Sequence, residues 1–179
     1  MNPARPDQGP SESEARNPQR LILASASPRR RELIARLGLV PDAISAADID
    51  ESPRKAEDPR AYARRMAQEK ALAVDVGDAF VLAGDTVVAC GQRILPKAEE
   101  EQTARDCLHL LSGRRHRVLS AIALKAPDGS LRERLSETVV RFKQLSAQEI
   151  AAYIAGGEWY GKAGGYAIQG SAEGLIAWI

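Results

Sequence analysis

The segment Leu21–Leu39 joins a short apolar run to a helix start, and this order constrains the fold more than any other feature of the chain. Residues 21–24 are apolar and few enough for a buried strand. Ser27 is a favourable helix N-cap, Pro28 suits the first helical position, and Gly38 ends the apolar periodicity that follows. A strand that leads through serines into a helix leaves several backbone N–H groups pointing at one spot.

Arg29 and Arg30 lie in the first turn of this predicted helix, where the helix dipole is already positive. Cations at that end oppose the dipole, so local helix stability does not account for them. A bound anion accounts for them, and an ordinary solvated basic helix end is the alternative. This segment by itself does not decide between the two.

The composition limits the class of protein. With 179 residues and 44% hydrophobic content, the chain can bury one sizeable core and is most simply one domain. A net charge of +1 argues against a nucleic-acid partner, and no apolar run is long enough to span a membrane. Cys90 and Cys107 form no spaced metal or disulfide framework, so we expect a cytoplasmic protein. Residues 1–19 lack apolar periodicity and predict a disordered tail.

Carboxylates that are candidates for metal binding or catalysis lie in two stretches of the sequence. Asp48, Asp50 and Glu51 belong to an acidic loop, which either holds a divalent cation through oxygen ligands or is simply solvated. Asp85 lies within the apolar run Phe80–Cys90, where an unpaired carboxylate is costly. Asp85 is therefore the best candidate for a catalytic or metal-ligating residue, with a structural hydrogen-bonding role as the alternative.

A helix predicted over residues 59–76 carries Lys70 on a largely apolar face. The ammonium group either extends back to the edge of that face or points into a site. Extension to the edge is the default interpretation, and an ion pair with Glu69 is a further alternative.

The remaining pattern predicts a helix, a hairpin and a second, shorter helix. The helix covers residues 99–111, and the hairpin pairs residues 116–124 with 131–142 around a Pro-Asp-Gly-Ser turn. A capping box formed by Ser146 and Glu149 starts the shorter helix. Neither histidine has metal-ligand spacing to other candidate ligands, so both are interpreted as structural or surface residues.

The stretch 156–170 is dense in glycine and contains Lys162. Its spacing resembles a phosphate-binding P-loop, but Ala163 replaces the required Ser or Thr and a helix precedes it, which excludes that motif. A short strand ending at Gln169 is predicted instead. Glycines allow close approach of a ligand, and Gln169 can pair with a base edge; a plain connecting loop is the alternative. Taken together, these features suit a nucleotide polyphosphate with a divalent metal.

Five motifs, in order and spacing, resemble the Maf family of septum-formation-inhibitor-like nucleoside triphosphate pyrophosphatases. The resemblance covers the chain from about Leu21 onwards. It implies an α/β fold related to inosine triphosphate pyrophosphatases, with an elongated mixed sheet flanked by helices and a central cleft between two lobes. It also implies cleavage of a nucleoside triphosphate to the monophosphate and pyrophosphate. The motifs are Ser25-Ala-Ser-Pro-Arg-Arg30, Gly84-Asp-Thr86, Leu95-Pro-Lys97, Leu111-Ser-Gly113 and Lys162-Ala-Gly-Gly-Tyr-Ala-Ile-Gln-Gly170.

Within this family, the motifs are similar to those of the dTTP/UTP pyrophosphatase branch, which implies a pyrimidine substrate. The resemblance implies that Asp85 activates water, and that Glu51 and Asp85 hold a divalent cation, Mg²⁺ or Mn²⁺. Whether Asp85 acts as a base or mainly as a ligand stays open. Three residues match positions linked to substrate choice: Arg29, Thr86 and Gln169. The other matched cleft positions are Ser25, Arg30, Glu51, Lys70, Lys97 and Lys162.

The chain departs from the family pattern at Ala98, where proline is common, and at Gly161, where aspartate is common. The family usually continues beyond the position of Ile179 into a last helix. We therefore expect one Maf-like domain over residues 20–179 with a truncated C-terminal segment. A homodimer is the candidate assembly. A non-catalytic nucleotide-binding regulator of cell division and septum formation stays open, as does a phosphomonoester hydrolase.

Overall fold

The computed structural model describes residues 19–179, which are organised around a mixed sheet. The predicted tail of residues 1–19 lies outside this range except for its last residue. The strands are β1 (Leu21–Leu23), β2 (Ala43–Ile44), β3 (Phe80–Cys90), β4 (Arg93–Leu95), β5 (Lys97–Ala98), β6 (Arg115–Lys125), β7 (Leu131–Phe142), β8 (Lys162–Ala163) and β9 (Ile176–Trp178). The helices are α1 (Pro28–Arg36), α2 (Pro59–Ala73), α3 (Glu101–Leu111), α4 (Ala147–Ala155) and a short 3₁₀ helix (Ser171–Leu175).

The main sheet has seven strands in the order β2-β1-β3-β6-β7-β9, with β4 also paired to β3. The pairs of β1 with β2 and with β3 are parallel, and the other pairs are antiparallel. A separate two-stranded sheet joins β5 to β8. This mixed α/β architecture confirms the predicted fold class. None of the helices in the described range combines the length and apolar composition needed to cross a bilayer.

The central strand β3 is left open at the middle of one edge. On its other edge, β6 pairs along Val81–Ala89. On the open edge, β1 pairs only with Phe80–Leu82 and β4 only with Val88–Cys90. No strand of the described chain covers the residues in between, 83–87. Asp85 lies at the centre of this gap.

The buried side chains form two groups. One packs α2 on the sheet and includes Met66, Val81 and Leu119. The other packs α3 and α4 against the far part of the sheet and includes Leu108 and Phe142. Strand β3 contributes Ala83 and Val87 to the first group and Val88 to the second, so the open edge of β3 borders both groups. The cleft between two lobes that the resemblance implied stays a prediction.

Several predictions for individual elements are confirmed and others are wrong. The β6–β7 hairpin and the capping box of Ser146 and Glu149 form as predicted. Helix α1 begins at Pro28, but of its predicted apolar residues only Ile34 is buried. The predicted strand ending at Gln169 is wrong, because the regular part stops at Ala163 and Gln169 lies in a turn.

Candidate active site

The junction of β1 and α1 lies beside the gap in β3 and presents a buried hydroxyl there. Ser25, at 6% exposure, accepts a hydrogen bond of 2.7 Å from Arg30 Nη1 at its Oγ. The same oxygen accepts a bond of 3.2 Å from the Ser27 N–H. Ser27 occupies the N-cap of α1 as predicted, but its own side chain makes no capping hydrogen bond. The serine motif therefore serves to fix Arg30.

Arg30 passes close to Gly84 of β3. A Cβ on Gly84 would lie 3.3 Å from Arg30 Nε and 3.0 Å from the Ala121 carbonyl oxygen, so the missing side chain makes room for the guanidinium. Burial lowers the pKa of Arg30, while the nearby charges of Asp85 and Glu51 raise it, and the net shift is downward. Arg30 therefore brings its positive charge to the two carboxylates.

Asp85 and Lys70 form a buried ion pair. Asp85 is 6% exposed, Lys70 is 7% exposed, and Lys70 Nζ lies 2.7 Å from Asp85 Oδ1. The default expectation that Lys70 extends to the edge of its helix face is therefore wrong, since its ammonium points into a site. The alternative pair with Glu69 is also wrong, because Glu69 instead contacts Arg65 and Arg54.

Glu51 extends this pair into a chain of alternating charges. Its Oε2 lies 3.0 Å from Lys70 Nζ and 2.7 Å from Lys97 Nζ. Burial by itself raises the pKa of Glu51, but the hydrogen bonds and charges of the two lysines outweigh burial and hold that pKa below its usual range. Glu51 is therefore held in its ionised form.

Tyr62 fixes the backbone at Glu51. Its hydroxyl donates a 2.6 Å hydrogen bond to the Glu51 carbonyl oxygen. Burial, together with the charges of Asp85 and Glu51, raises the pKa of Tyr62 to about 12, so the phenol remains a donor. Tyr62 lies on α2 at the helical spacing of the buried Met66, so the sequence gives no signal for this role.

The acidic loop contributes one carboxylate to the site rather than three. Asp50 is exposed and accepts the Ser52 N–H at 2.8 Å. Within residues 19–179, no group of three or more Asp, Glu, His and Cys side chains converges as a metal cluster. The idea of a cation site built from Asp48, Asp50 and Glu51 is therefore wrong.

A second set of predicted residues lines a groove on another face of α1. Arg29 Nη1 donates a 3.3 Å hydrogen bond to Gln169 Oε1, and Lys162 Nζ donates a 3.0 Å bond to the Tyr160 carbonyl oxygen. Together with neighbouring residues they enclose a cavity of about 510 Å³. Because successive helix residues differ by about 100° in direction, Arg29 faces this groove while Arg30 faces Ser25 and Gly84. The cavity is lined by Arg29, Glu32, Leu33, Arg36, Glu158, Lys162, Ala167, Gln169 and Gly170.

Apart from Thr86, the predicted site residues thus form two sets, which we call the inner cluster and the groove. The groove set contains Arg29, Lys162 and Gln169. Thr86 is the one exposed position of β3, and strand alternation directs its side chain to the face opposite Asp85. The inner cluster contains Ser25, Arg30, Glu51, Lys70, Asp85 and Lys97.

The two sets supply complementary chemistry. The inner cluster places three cations, Arg30, Lys70 and Lys97, around two carboxylates in a partly desolvated gap. Such a set can neutralise a multiply charged anion and orient a water molecule against it. The groove offers the amide of Gln169, three cationic side chains and two carboxylates beside the apolar side chain of Leu33, a mixture that suits a flat polar ring.

Comparison with known proteins places the chain in a family. The dTTP/UTP pyrophosphatase of Novosphingobium aromaticivorans is 64% identical over 173 residues, which are 96% of this chain and 86% of that relative. The dTTP/UTP pyrophosphatase of Rhodospirillum rubrum is 60% identical, over 93% of this chain and 80% of that relative. A solved dITP/XTP pyrophosphatase of Mycobacterium abscessus aligns with a TM-score of 0.48 at 16% identity, covering 72% of this chain and 75% of that one. Residues 20–179 match the family model described as Maf-like protein, and the chain therefore belongs to the Maf-like family.

Proposed function

We propose that this protein hydrolyses dTTP and UTP to the nucleoside monophosphate and pyrophosphate. The observation that carries the proposal is the buried Asp85–Lys70 pair, which lies at the open edge of β3 beside Arg30. The names of the relatives from N. aromaticivorans and R. rubrum support the same reaction.

The inner cluster accounts for the chemical step. Arg30, Lys70 and Lys97 bind the phosphate oxygens and neutralise their charge. Asp85 orients a water molecule and accepts its proton as the water oxygen attacks the α-phosphorus. The bond from the α-phosphorus to the bridging oxygen breaks, and pyrophosphate leaves with that electron pair. Ser25 takes part indirectly, because it holds Arg30.

The donor set at Asp85 and Glu51 fits a divalent cation. Lys70 Nζ binds one oxygen of each carboxylate, Asp85 Oδ1 at 2.7 Å and Glu51 Oε2 at 3.0 Å, so the two groups lie close together. Their second oxygens, Asp85 Oδ2 and Glu51 Oε1, would be the ligands for a cation beside this ammonium. Mg²⁺ is typically held by one or two carboxylates together with substrate phosphates, and Mn²⁺ accepts the same oxygen ligands. When bound, such an ion supplies positive charge to the phosphate oxygens.

The groove accounts for the choice of base. An arginine side chain has only donors, so the amide of Gln169 must turn its oxygen toward Arg29. The amide NH₂ group is then left to donate to the base. Thymine and uracil present a carbonyl oxygen at position 4 that can accept this bond, whereas cytosine presents an amino group there. We therefore expect dTTP and UTP to be preferred over dCTP and CTP. The role of Thr86 in substrate choice stays a prediction, because Thr86 does not line this groove.

We also propose a cytoplasmic location, which the free cysteines Cys90 and Cys107 support. The homodimer and the domain boundary at residue 20 stay predictions.

The test is a panel of dTTP, UTP, dCTP, CTP, dGTP and ATP, each with Mg²⁺ and with Mn²⁺, in which pyrophosphate and orthophosphate are measured separately. We expect pyrophosphate, formed fastest from dTTP and UTP. Orthophosphate as the first product would instead identify a phosphomonoester hydrolase. Nucleotide binding without either product would identify a non-catalytic binding protein.

A further inference from the structure

The turn that carries Gln169 is held at both ends by side chains from the preceding segment. The Gly170 N–H donates to the Ala167 carbonyl oxygen at 3.0 Å and closes the turn. At one end, the Ala167 N–H donates to the Tyr153 hydroxyl at 3.0 Å. At the other end, the Ser171 N–H donates to Glu158 Oε2 at 2.8 Å. Gln169 is therefore bracketed by two fixed backbone positions.

Glu158 supplies a hydrogen-bond acceptor for the Ser171 N–H that the neighbouring residues do not provide. Ser171 is the first residue of the 3₁₀ helix, and its N–H therefore has no partner within that helix. The N-cap residue, Gly170, has no side chain that can accept the bond. Glu158, thirteen residues earlier in the chain, provides the missing acceptor.

Gly170 makes room for this contact. Its φ is −126°, which any residue can adopt, so the backbone conformation does not require glycine. A Cβ at Gly170, however, would overlap the Glu158 carboxylate oxygen and lie 2.8 Å from its Cδ. A side chain at position 170 would therefore push the carboxylate away from the Ser171 N–H.

The side chain of Gln169 depends on this backbone support. Gln169 is exposed, and the hydrogen bond that the structure records for its side chain is the 3.3 Å contact with Arg29. A single 3.3 Å bond between two long side chains at the surface contributes little positional restraint. The direction of the amide is consequently set by the turn on which it stands.

We propose that Glu158 is a positioning residue for base discrimination, which acts by capping Ser171 and thereby fixing Gln169 in the groove. The inference rests on the proposed function, in which Gln169 contacts the base.

Four single variants and one double variant test the proposal. Glu158→Ala removes the acceptor, and Glu158→Gln keeps an acceptor oxygen without the charge. Gly170→Ala keeps Glu158, but the added Cβ displaces the Glu158 carboxylate from the Ser171 N–H. Glu173→Ala, on the exposed side of the same 3₁₀ helix, is the matched control for a lost carboxylate.

Two measurements are made on each variant. The first is hydrogen exchange of the Ser171 amide, which is independent of activity. Loss of one hydrogen bond should speed this exchange about tenfold in Glu158→Ala and Gly170→Ala, but not in Glu158→Gln or Glu173→Ala.

The second measurement is the ratio of kcat/KM for dTTP to that for dCTP. It should fall about tenfold in the same two variants, mainly through a higher KM for dTTP. The double variant Glu158→Ala/Gly170→Ala should be no worse than either single variant, since both remove the same contact.

The proposal is overturned if two properties of Glu158→Ala equal those of the wild type. These are the exchange rate of the Ser171 amide and the preference for dTTP over dCTP. It is also overturned if Glu158→Gln is as defective as Glu158→Ala, because charge rather than the hydrogen bond would then matter. If Glu158→Ala fails to fold, Gly170→Ala decides the same question. A wild-type protein that releases no pyrophosphate contradicts the proposed function, whereas the exchange data still decide whether Glu158 caps Ser171.

Discussion

Arg30 of the inner cluster and Arg29 of the groove are adjacent residues of α1, yet the residues of the two regions are held in place in different ways. Asp85 and Lys70 are buried, stand on regular elements and are joined at 2.7 Å. Arg29 and Gln169 are joined at 3.3 Å, and Gln169 is exposed on a turn. Core packing therefore fixes the residues proposed for the chemistry, while a few local hydrogen bonds fix those proposed for base choice. Substitutions should affect the two properties separately.

Asp85→Asn should give the largest effect on the inner cluster. The amide keeps the size of the carboxylate but cannot accept the proton of the attacking water. We expect kcat for pyrophosphate release from dTTP to fall about a thousandfold. Asp128→Asn, in the exposed turn before β7, is the control. A variant that keeps more than about a tenth of the wild-type kcat would remove Asp85 from its proposed role.

Lys70→Met should destabilise the fold, because it leaves the buried Asp85 carboxylate without the ammonium that pairs with it. The side chains of Lys70 and Asp85 are 9% and 7% exposed. Urea unfolding should show a loss of about 3 kcal/mol in the free energy of unfolding. Lys97→Met is the matched comparison, since Lys97 pairs with Glu51 but is 48% exposed, and it should cost less than about 1 kcal/mol. Equal losses of unfolding free energy in the two variants would contradict the claim that burial makes the loss of Lys70 more costly than the loss of Lys97.

His116 ties the glycine-rich loop to the sheet and should make stability depend on pH. Its Nε2 and the Tyr166 hydroxyl share a 2.7 Å hydrogen bond. Burial lowers the pKa of His116 from 6.5 to about 4, so between these values the unfolded chain binds a proton that the folded chain does not. Stability should be fully present above about pH 6.5 and fall by about 2 kcal/mol between pH 7 and pH 5.

Urea unfolding at both pH values checks this expectation. His116→Gln cannot titrate, and its unfolding free energy should change less over the same interval. A pH dependence identical to that of the wild type would assign the effect to carboxylates instead.

Gln169→Ala should give the smallest effect and alter selectivity alone. Loss of one hydrogen bond to the base should lower the preference for dTTP over dCTP about tenfold. The kcat for dTTP should change little, because the inner cluster is intact. Gln144→Ala, at an exposed glutamine beside Gly113, is the control. A large fall in kcat without a change in preference would show that the groove is not a separate region.

The sequence predicted well those features that depend on local pattern. The apolar run around Asp85 indicated a buried carboxylate, and the turn between β6 and β7 predicted the hairpin. The capping box of Ser146 and Glu149 is likewise local, because the two residues are three positions apart. In each case, neighbouring residues determine the outcome.

The sequence failed where the partner is distant along the chain. An apolar helix face does not reveal that Lys70 points inward, since its partners Asp85 and Glu51 come from other elements. The Glu158–Ser171 bond was missed for the same reason, because the glycine-rich pattern does not indicate which acceptor serves the helix start. Gln169 was predicted on a strand, but the turn closed by Gly170 prevents one.

The central claim is that the inner cluster performs the chemistry while the groove selects the base. Its most direct test is equilibrium binding of dTTP and dCTP to Asp85→Asn, measured by calorimetry with Mg²⁺ present. Because this variant should consume its substrates only slowly, binding can be measured with little turnover. We expect dTTP to bind about tenfold more tightly than dCTP, and pyrophosphate to form about a thousandfold more slowly than with the wild type. Equal binding of the two nucleotides, or pyrophosphate release at the wild-type rate, would contradict the central claim.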